Sequence, residues 1–345
     1  MSDEEKYGVS GQLPEYRRIA LRILGRIREG EFGPEDKLPS INSLAIRYGV
    51  SRESVAAAYR FLIAQGAVAS WQGKGYFVRE EFLTGRKSVL VILDKLSPHQ
   101  QTILDSFSQS VGDESNITIL MHYQSVDRLK NILDAELGRH DWYLLFPHFP
   151  LDGEVQQGAL AQIRRIPSSK LILIDRLIPG APEDAGASYQ SIEKDIPEIM
   201  ASAVDDIRSF GKLRFMPLSV SLYGQLVGCT ISDFCKSNGL TFEALQSLPD
   251  DIQVSKGDVF FLTGSRLDRR MVALVERIRA CGLEIGRDVG IICYNDFPLN
   301  ELILGGLSTL SADFKEMGRN AAAMVSSGKT ARVRCSCRLI RRNTF

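Results

Sequence analysis

The side chains best suited to directional chemistry in this sequence stand in two short runs, Ser51-Arg52-Glu53-Ser54 and Gln72-Gly73-Lys74-Gly75. A guanidinium, a carboxylate and hydroxyls at consecutive positions can donate to and accept from the edges of base pairs, and glycines around a lysine let backbone approach a phosphate closely. Other chemistries find little support. The six cysteines, Cys229, Cys235, Cys281, Cys293, Cys335 and Cys337, follow no zinc-ligand spacing, and the four histidines, His99, His122, His140 and His148, form no H-E-x-x-H pattern, so no metal is expected. In a reducing compartment the cysteines read as free thiols, with Cys335 and Cys337 two apart on one strand and packing from one face. The sequence has no G-x-G-x-x-G after its first long apolar strand, no G-x-x-x-x-G-K-[ST] and no G-x-S-x-G. Neither a cofactor nor catalysis is therefore expected; the alternative is an α/β enzyme acting on a sugar or nucleotide, fused to a DNA-binding domain.

The first run must sit on the exposed face of a helix, and the spacing provides one. Leu44, Ala45 and Tyr48 recur at helical intervals, and Gly49 ends that helix where a left-handed residue is needed. Ser51 then caps a second helix, whose buried stripe is Val55, Ala58, Tyr59 and Leu62. Ser51 to Ser54 open the opposite face, where a recognition helix meets the major groove. Gly66 ends this helix, and two short apolar strands, Val68 to Trp71 and Tyr76 to Val78, flank the second run. Residues 12–79 hold eleven Lys or Arg against six Asp or Glu, whereas the whole chain balances 42 against 42. So modest an excess gives weak, salt-sensitive binding to double-stranded DNA, and tight sites call for a homodimer.

The stretch from about Pro14 to Val78 resembles the winged helix-turn-helix of the GntR family of bacterial transcription regulators. LPS at Leu38 to Ser40, G-V-S-R-x-S-V at Gly49 to Val55 and Q-G-K-G at Gln72 to Gly75 carry the resemblance. It implies that Arg52 reads a base, that Glu53 and Ser54 lie at the groove, and that the wing tip at Gly73 enters the neighbouring minor groove. Ser40, Asn42, Ser51, Gln72, Lys74 and Gly75 complete the expected DNA-binding set. Many members have Arg where this chain has Asn42 and Ala56, so the operator sequence is not carried over.

At 345 residues and 44% hydrophobic, the chain is long enough for two or three domains with ordinary cores. The amino-terminal MSDEEKYGVSGQ is too polar for a secretory signal and reads as a lead-in, and no segment spans a membrane, so a cytoplasmic location is expected. Residues 12–79 form the winged helix-turn-helix, 80–87 a charged linker, and 88–345 the remainder. From Ser88 the pattern changes to apolar strands, at Ser88 to Asp94, Ile117 to His122, Trp142 to Phe146, Lys170 to Asp175, Leu213 to Leu218, Val259 to Thr263 and Gly290 to Tyr294, separated by stretches of helical periodicity. Such alternation predicts an α/β fold of doubly wound parallel sheets in two lobes.

Residues 88–345 are similar to the periplasmic-binding-protein-like sensor domain of the LacI family, through ILIDR at Ile172 to Arg176, D-x-x-M-x-A-L from Asp268, DVGIICYNDFP at Asp288 to Pro298, LSTL at Leu307 to Leu310 and MGRNAA at Met317 to Ala322. The resemblance implies a ligand-closed cleft between two lobes, usually for a sugar. By position the ligand set is Ser97, His99 and Gln100 after the first strand, Asp175 and Arg176 after the fourth, and Gln225, Asp268 and Asn295 in the second lobe. A carboxylate accepts two vicinal hydroxyls and a guanidinium donates to several oxygens. Where relatives have Arg and a first Asp, this chain has Gln225 and Asn295, which favours a small neutral sugar over a phosphosugar. A GntR reader on such a sensor resembles the arabinose and fucose operon regulators. The expectation is a homodimeric repressor of a carbohydrate-utilisation operon, released from its operator by L-fucose or L-arabinose.

Overall fold

The computed structural model describes residues 13–217, 223–245, 252–263 and 269–345. Asp268 and the amino-terminal lead-in lie outside the described residues.

Among the described residues, three helices and a hairpin make the amino-terminal module: α1 (Glu15–Arg28), α2 (Ile41–Tyr48), α3 (Arg52–Ala64), β1 (Val68–Trp71) and β2 (Gly75–Val78). Both short helices begin as their sequence demands. Ser40 Oγ accepts from Ser43 N at 3.1 Å and Ser51 Oγ from Ser54 N at 3.0 Å, each satisfying an amide the helix cannot. Gly49 ends α2 at φ 63°, which glycine adopts without a Cβ clash. Ile19, Ile23 and Ile27 of α1 pack on Leu44, Val55, Ala58 and Leu62 in one apolar core. Tyr59 is fully buried there, stacked 3.9 Å from Tyr76 with its hydroxyl donating to the Pro39 carbonyl, which ties the turn before α2 to the hairpin. β1 and β2 pair antiparallel, from Val68 opposite Val78 to Trp71 opposite Gly75.

Within the stretch expected to be a plain linker, Glu80–Thr84 forms a short helix, α4, ended by Gly85 at φ 71°. Six strands then form one sheet, in the order β4-β3-β5-β6-β7-β13: β3 (Lys87–Leu93), β4 (Ser115–Met121), β5 (Trp142–Leu145), β6 (Leu171–Asp175), β7 (Gly186–Tyr189) and β13 (Arg332–Arg334). A second sheet runs β9-β8-β10-β11-β12-β14, from β8 (Lys212–Met216), β9 (Thr241–Ala244), β10 (Asp258–Thr263), β11 (Gly290–Tyr294), β12 (Ser308–Ala312) and β14 (Cys337–Ile340). In the second sheet β9-β8-β10-β11-β12 pair parallel throughout, and only β14 is antiparallel to its neighbour. In each sheet the first strand in sequence lies between the second and third, so the winding reverses direction there, and ligands of doubly wound folds gather outside the carboxyl ends of the strands at that point. Continuous apolar strands such as Leu171–Asp175, buried along their whole length, fit sheets covered on both faces.

Among the described residues, eight α-helices accompany the sheets: α5 (Pro98–Val111), α6 (Val126–Glu136), α7 (Gly153–Ile163), α8 (Ile192–Met200), α9 (Val204–Phe210), α10 (Gly224–Ser237), α11 (Arg269–Ala280) and α12 (Phe314–Ser327). The chain changes sheets after β7, where Ile192 and Ile196 of α8 join the core beneath the second sheet. It returns after β12, when α12 packs against α5 so closely that a Cβ on Gly318 would lie 2.4 Å from the Ile103 carbonyl oxygen. A third change, from β13 to β14, separates the two cysteines expected on one strand. Cys335 follows β13 and its Sγ lies 3.2 Å from Ser188 Oγ, whereas Cys337 opens β14 and its Sγ lies 3.3 Å from Asp195 Oδ2. A two-residue spacing puts side chains on one face only while both remain in one strand.

Candidate functional site

On the amino-terminal module Ser51, Arg52 and Glu53 are exposed at the start of α3, as are Ser40 and Asn42 at the start of α2. Ser40 and Ser51 already act as caps, and Ser54 Oγ donates to Glu15 Oε2 at 2.5 Å, which leaves Arg52 and Glu53 as the long side chains at this end of α3. At the hairpin tip Gln72, Gly73 and Lys74 are exposed, with Gly73 at φ 73° and Gly75 at φ 113°. A Cβ on Gly75 would meet Lys37 Cε at 3.2 Å, so backbone there runs close beside a lysine side chain. A helix start carrying Arg and Glu beside a glycine-turned hairpin is a geometry suited to neighbouring major and minor grooves.

A second cluster lies at the carboxyl ends of β3, β5 and β6. Asp94, Gln100, His148 and Asp175 are each buried to 3% exposure or less. His148 Nδ1 lies 3.0 Å from Asp94 Oδ1 and its Nε2 2.9 Å from Asp175 Oδ2, the latter an ion-pair contact without linear hydrogen-bond geometry. Burial alone would lower the basicity of His148, but the carboxylates of Asp175 and Asp94 outweigh it and raise its pKa to about 9. Burial raises the Asp94 carboxyl, yet His148, Gln100 and Gln124 together bring it down to about 2, and Asp175 is likewise held well below the usual carboxylate range. The ring stands between two carboxylates that favour its protonated form.

The remaining oxygens have partners too. Gln100 Nε2 donates to Asp94 Oδ1 at 2.5 Å and Gln124 Nε2 to Asp94 Oδ2 at 3.2 Å. Gln190 Nε2 donates to Asp175 Oδ1 at 2.7 Å, while Tyr294 donates its hydroxyl to Gln190 Oε1 at 3.0 Å. Ser97 donates to Gln100 through its backbone at 3.1 Å and its hydroxyl at 2.9 Å. His99 Nε2 stands 3.6 Å from Asp175 Oδ2. Close by, buried His122 has its Nδ1 accepting from Gln124 N at 3.1 Å and its Nε2 3.1 Å from the Phe146 carbonyl, an arrangement for the neutral ring. Desolvation dominates for this histidine and brings its pKa down to about 4.

Besides His148 Nε2, two further polar atoms in this region stand apart. Arg176 Nη1 and Asn295 Oδ1 are buried without a hydrogen-bond partner among the described residues, one a donor and the other an acceptor. A buried unpaired polar atom costs about 1–3 kcal/mol, which a ligand hydroxyl or carbonyl can recover. The Arg176 guanidinium lies 3.9 Å over the Tyr223 ring, and that ring stands edge-on to His148 at 5.4 Å. Asp175 at φ 71° and Asn295 at φ 74° end β6 and β11 in the left-handed region, which Asp and Asn tolerate best among residues with a Cβ.

Of the ligand residues expected from sequence, Ser97, His99, Gln100 and Asp175 meet in one network, and Arg176 adjoins Tyr223. The carboxylate of Asp175 was expected to accept two ligand hydroxyls; here both of its oxygens face protein partners, because Gln190 and His148 reach them first. Gln100 likewise is fully buried and engaged with Asp94 and Ser97. Gln225 is exposed in the first turn of α10. Sequence reasoning passed over Asp94, Gln124, His148, Gln190, Tyr223 and Tyr294. A signal existed for two of them: Asp94 closes the first apolar strand with a carboxylate, and His148 stands just beyond the third strand, both next to the reversal of winding.

Comparison with known proteins finds two separate family matches along the chain. Residues 15–78 match the family described as bacterial regulatory proteins, gntR family, and residues 211–345 match the periplasmic binding protein-like domain. The chain joins a gntR-type helix-turn-helix domain to a periplasmic-binding-protein-like domain. The mannosyl-D-glycerate transport/metabolism system repressor of Escherichia coli (strain K12) is 45% identical over 71 residues, 21% of this chain and 30% of that protein. A probable fructoselysine utilization operon transcriptional repressor of the same organism is 35% identical over 66 residues, 19% of this chain and 27% of the relative. The chain thus spans less than a third of the length of these curated relatives. Among solved structures, the trehalose repressor from Escherichia coli superposes with a TM-score of 0.56 at 14% identity, over 73% of this chain and 99% of that one. The lac repressor dimer bound to operator and an anti-inducer gives 0.56 at 14% identity, over 76% and 96%. At such identity the likeness is one of fold. No helix among the described residues is long and apolar enough to cross a membrane.

Proposed function

We propose that this protein is a one-component transcription repressor of a carbohydrate-utilisation operon, in which a small neutral sugar bound by Arg176 and Asn295, beside the Asp94–His148–Asp175 cluster, releases double-stranded operator DNA from the winged helix. The reading rests above all on the pairing of an exposed Arg52–Glu53 helix start with a sensor fold that keeps a donor, Arg176 Nη1, and an acceptor, Asn295 Oδ1, without a hydrogen-bond partner among the described residues. A ligand hydroxyl can accept from the one and donate to the other. Charge supports neutrality: Asp94 and Asp175 offset His148 and Arg176, and Glu193 stands 4.0 Å from Arg176, so an anionic ligand would add an uncompensated charge.

In this reading the active form is a cytoplasmic homodimer. Two-fold symmetry presents two recognition helices to two half-sites, and sugar binding changes their spacing. Sensors of this kind couple their sites by about 1–3 kcal/mol, a factor of roughly 5 to 150 in operator affinity. L-Fucose and L-arabinose are the candidate effectors, supported by the resemblance of a GntR reader on a LacI-like sensor to arabinose and fucose operon regulators. Arg52 reads a base, Glu53 and Asn42 line the groove, and the Gln72–Lys74 tip follows the backbone. Thermal unfolding against neutral monosaccharides and their phosphates tests the sensor: ligand at 100 times its dissociation constant adds about 2.7 kcal/mol of stability. Stabilisation by a neutral sugar is the expected result, and stabilisation by phosphosugars alone refutes the neutral site.

A further inference from the structure

Arg79, the first residue after the hairpin, is 6% exposed and held at both ends. Its backbone N–H donates to the Ala67 carbonyl at 3.1 Å, beside the turn that ends α3. Its guanidinium donates to Asp141 through two parallel bonds, Nη1 to Oδ1 at 2.7 Å and Nη2 to Oδ2 at 3.0 Å. Asp141 stands one residue before β5, and it is itself fixed to β3: Oδ2 accepts from Ser88 N at 2.9 Å, and Asp141 N donates to the Ser88 carbonyl at 2.9 Å. Gly66, at φ 71°, seats the α3 turn on this pair, since a Cβ there would lie 3.7 Å from both Arg79 Nη1 and Asp141 Oδ1. Two residues earlier in the same loop, the Arg139 guanidinium lies 4.1 Å over the ring of Trp71, which stacks at 4.0 Å on Phe77 across the hairpin. One loop of the sensor sequence, 137–141, therefore grips the wing through Trp71 and the end of the recognition helix through Arg79.

The strands tied by Asp141 and Ser88 have a second role at their far ends. β3 runs from this contact to Asp94, and the chain through β5 runs from it to His148, the pair that forms one half of the buried charge clamp. A charge-assisted, bidentate, part-buried contact is among the more rigid that side chains make.

We propose that Arg79–Asp141 and Arg139–Trp71 form a latch through which the sensor sets the attitude of the winged helix, with Arg79, Asp141 and Arg139 as positioning residues that touch neither DNA nor effector. The proposal rests on the regulatory reading above, but its primary test needs neither ligand. The chain has two tryptophans, Trp71 and Trp142, and Trp142 is 6% exposed within β5. Acrylamide quenching of the full-length protein, with Trp71→Phe to isolate the Trp142 signal, reports whether Arg139 still covers Trp71. Asp141→Asn, which keeps the shape and removes the charge, is expected to raise Trp71 quenching at least about twofold as the latch opens. It should also split a common thermal transition into separate ones for winged helix and sensor. Arg139→Gln should expose Trp71 while leaving the Arg79–Asp141 pair and the common transition in place, which separates local release from misfolding.

The regulatory part is read by binding to a DNA fragment selected from random sequence with the wild-type protein. Asp141→Asn should retain binding to that fragment and lose the response to L-fucose or L-arabinose that the wild type shows. Unchanged Trp71 quenching and an unchanged single transition in Asp141→Asn overturn the latch. A full sugar response in a variant whose latch is demonstrably open overturns its regulatory role. Failure of the wild type to bind any selected DNA sinks the repressor reading, and the quenching result then decides the contact by itself.

Discussion

Replacing His148 tests the charge clamp most sharply. His148→Gln keeps a hydrogen-bonding side chain of similar length but removes the positive charge that stands 3.0 Å from Asp94 and 2.9 Å from Asp175, leaving two buried carboxylates without it. Removing one partner of a buried ion pair costs about 3–5 kcal/mol, because the charge left behind is uncompensated. The wild-type pH dependence supplies an independent magnitude. A histidine whose pKa rises from 6.5 unfolded to about 9 folded contributes stability that is fully present below pH 6.5 and is lost as pH climbs through 9. By linkage the swing is on the order of 3 kcal/mol, shared among the three members of the cluster. The aspartates act on the other flank: with folded pKa values below their unfolded ones, their contribution is present above about pH 4 and disappears as pH falls toward 2. Urea unfolding of the sensor transition at pH 6 and pH 9.5, wild type beside variant, reads this directly. Tyrosines, cysteines and lysines titrate in both proteins and cancel in the difference. The wild type should lose up to about 3 kcal/mol more than His148→Gln across that interval, and the variant should be the less stable of the two at pH 6. Parallel pH profiles for the two proteins would refute a clamped imidazolium.

Other expectations follow from single contacts. Arg52→Ala should weaken specific DNA binding by about 1–3 kcal/mol while leaving sugar-induced stabilisation intact, as measured by gel shift and thermal unfolding on the same preparation. Arg176→Ala should abolish sugar-induced stabilisation and leave DNA binding in place; loss of both would assign the residue to folding. Gly318→Ala puts a Cβ 2.4 Å from the Ile103 carbonyl oxygen and 2.8 Å from Phe107 N, so α12 and α5 must part, and chemical denaturation should show a loss of about 1–3 kcal/mol or more. DNA affinity should fall steeply with salt, the slope of its logarithm counting roughly one neutralised phosphate per unit, and Lys74→Ala should reduce that slope by about one.

The winged helix was legible nearly to the residue because its signals are local: capping serines at 40 and 51, glycines at 49 and 66, and a hairpin turned by Gly73 and Gly75 all act within four residues of their effect. The sheet strands were legible for a similar reason, since runs such as Leu171–Asp175 are apolar throughout. What sequence did not show arises largely from long-range closure. β13 pairs with β7 across the chain, Arg332 opposite Ala187, and the change of sheet at Ser336 turned a two-residue cysteine spacing into two separate environments. The clamp is the same kind of feature: Asp94, His148 and Asp175 lie 27 or more residues apart, and only the winding of the sheet brings their strand ends together. A lone histidine in F-P-H-F-P carries no ligand pattern, so its role is visible only beside its two carboxylates. Asp175 shows the converse, a residue correctly placed at the site whose oxygens are claimed by Gln190 and His148.

Whether one chain both reads DNA and senses a sugar is answered by measuring affinity for a wild-type-selected DNA fragment with and without L-fucose, L-arabinose, D-ribose and D-galactose. A neutral sugar that raises the unfolding temperature is expected also to lower DNA affinity by about 5- to 150-fold, and the DNA to lower affinity for that sugar by the same factor. A sugar that stabilises the protein and leaves DNA affinity unchanged, or increases it, would contradict release of the operator by the effector.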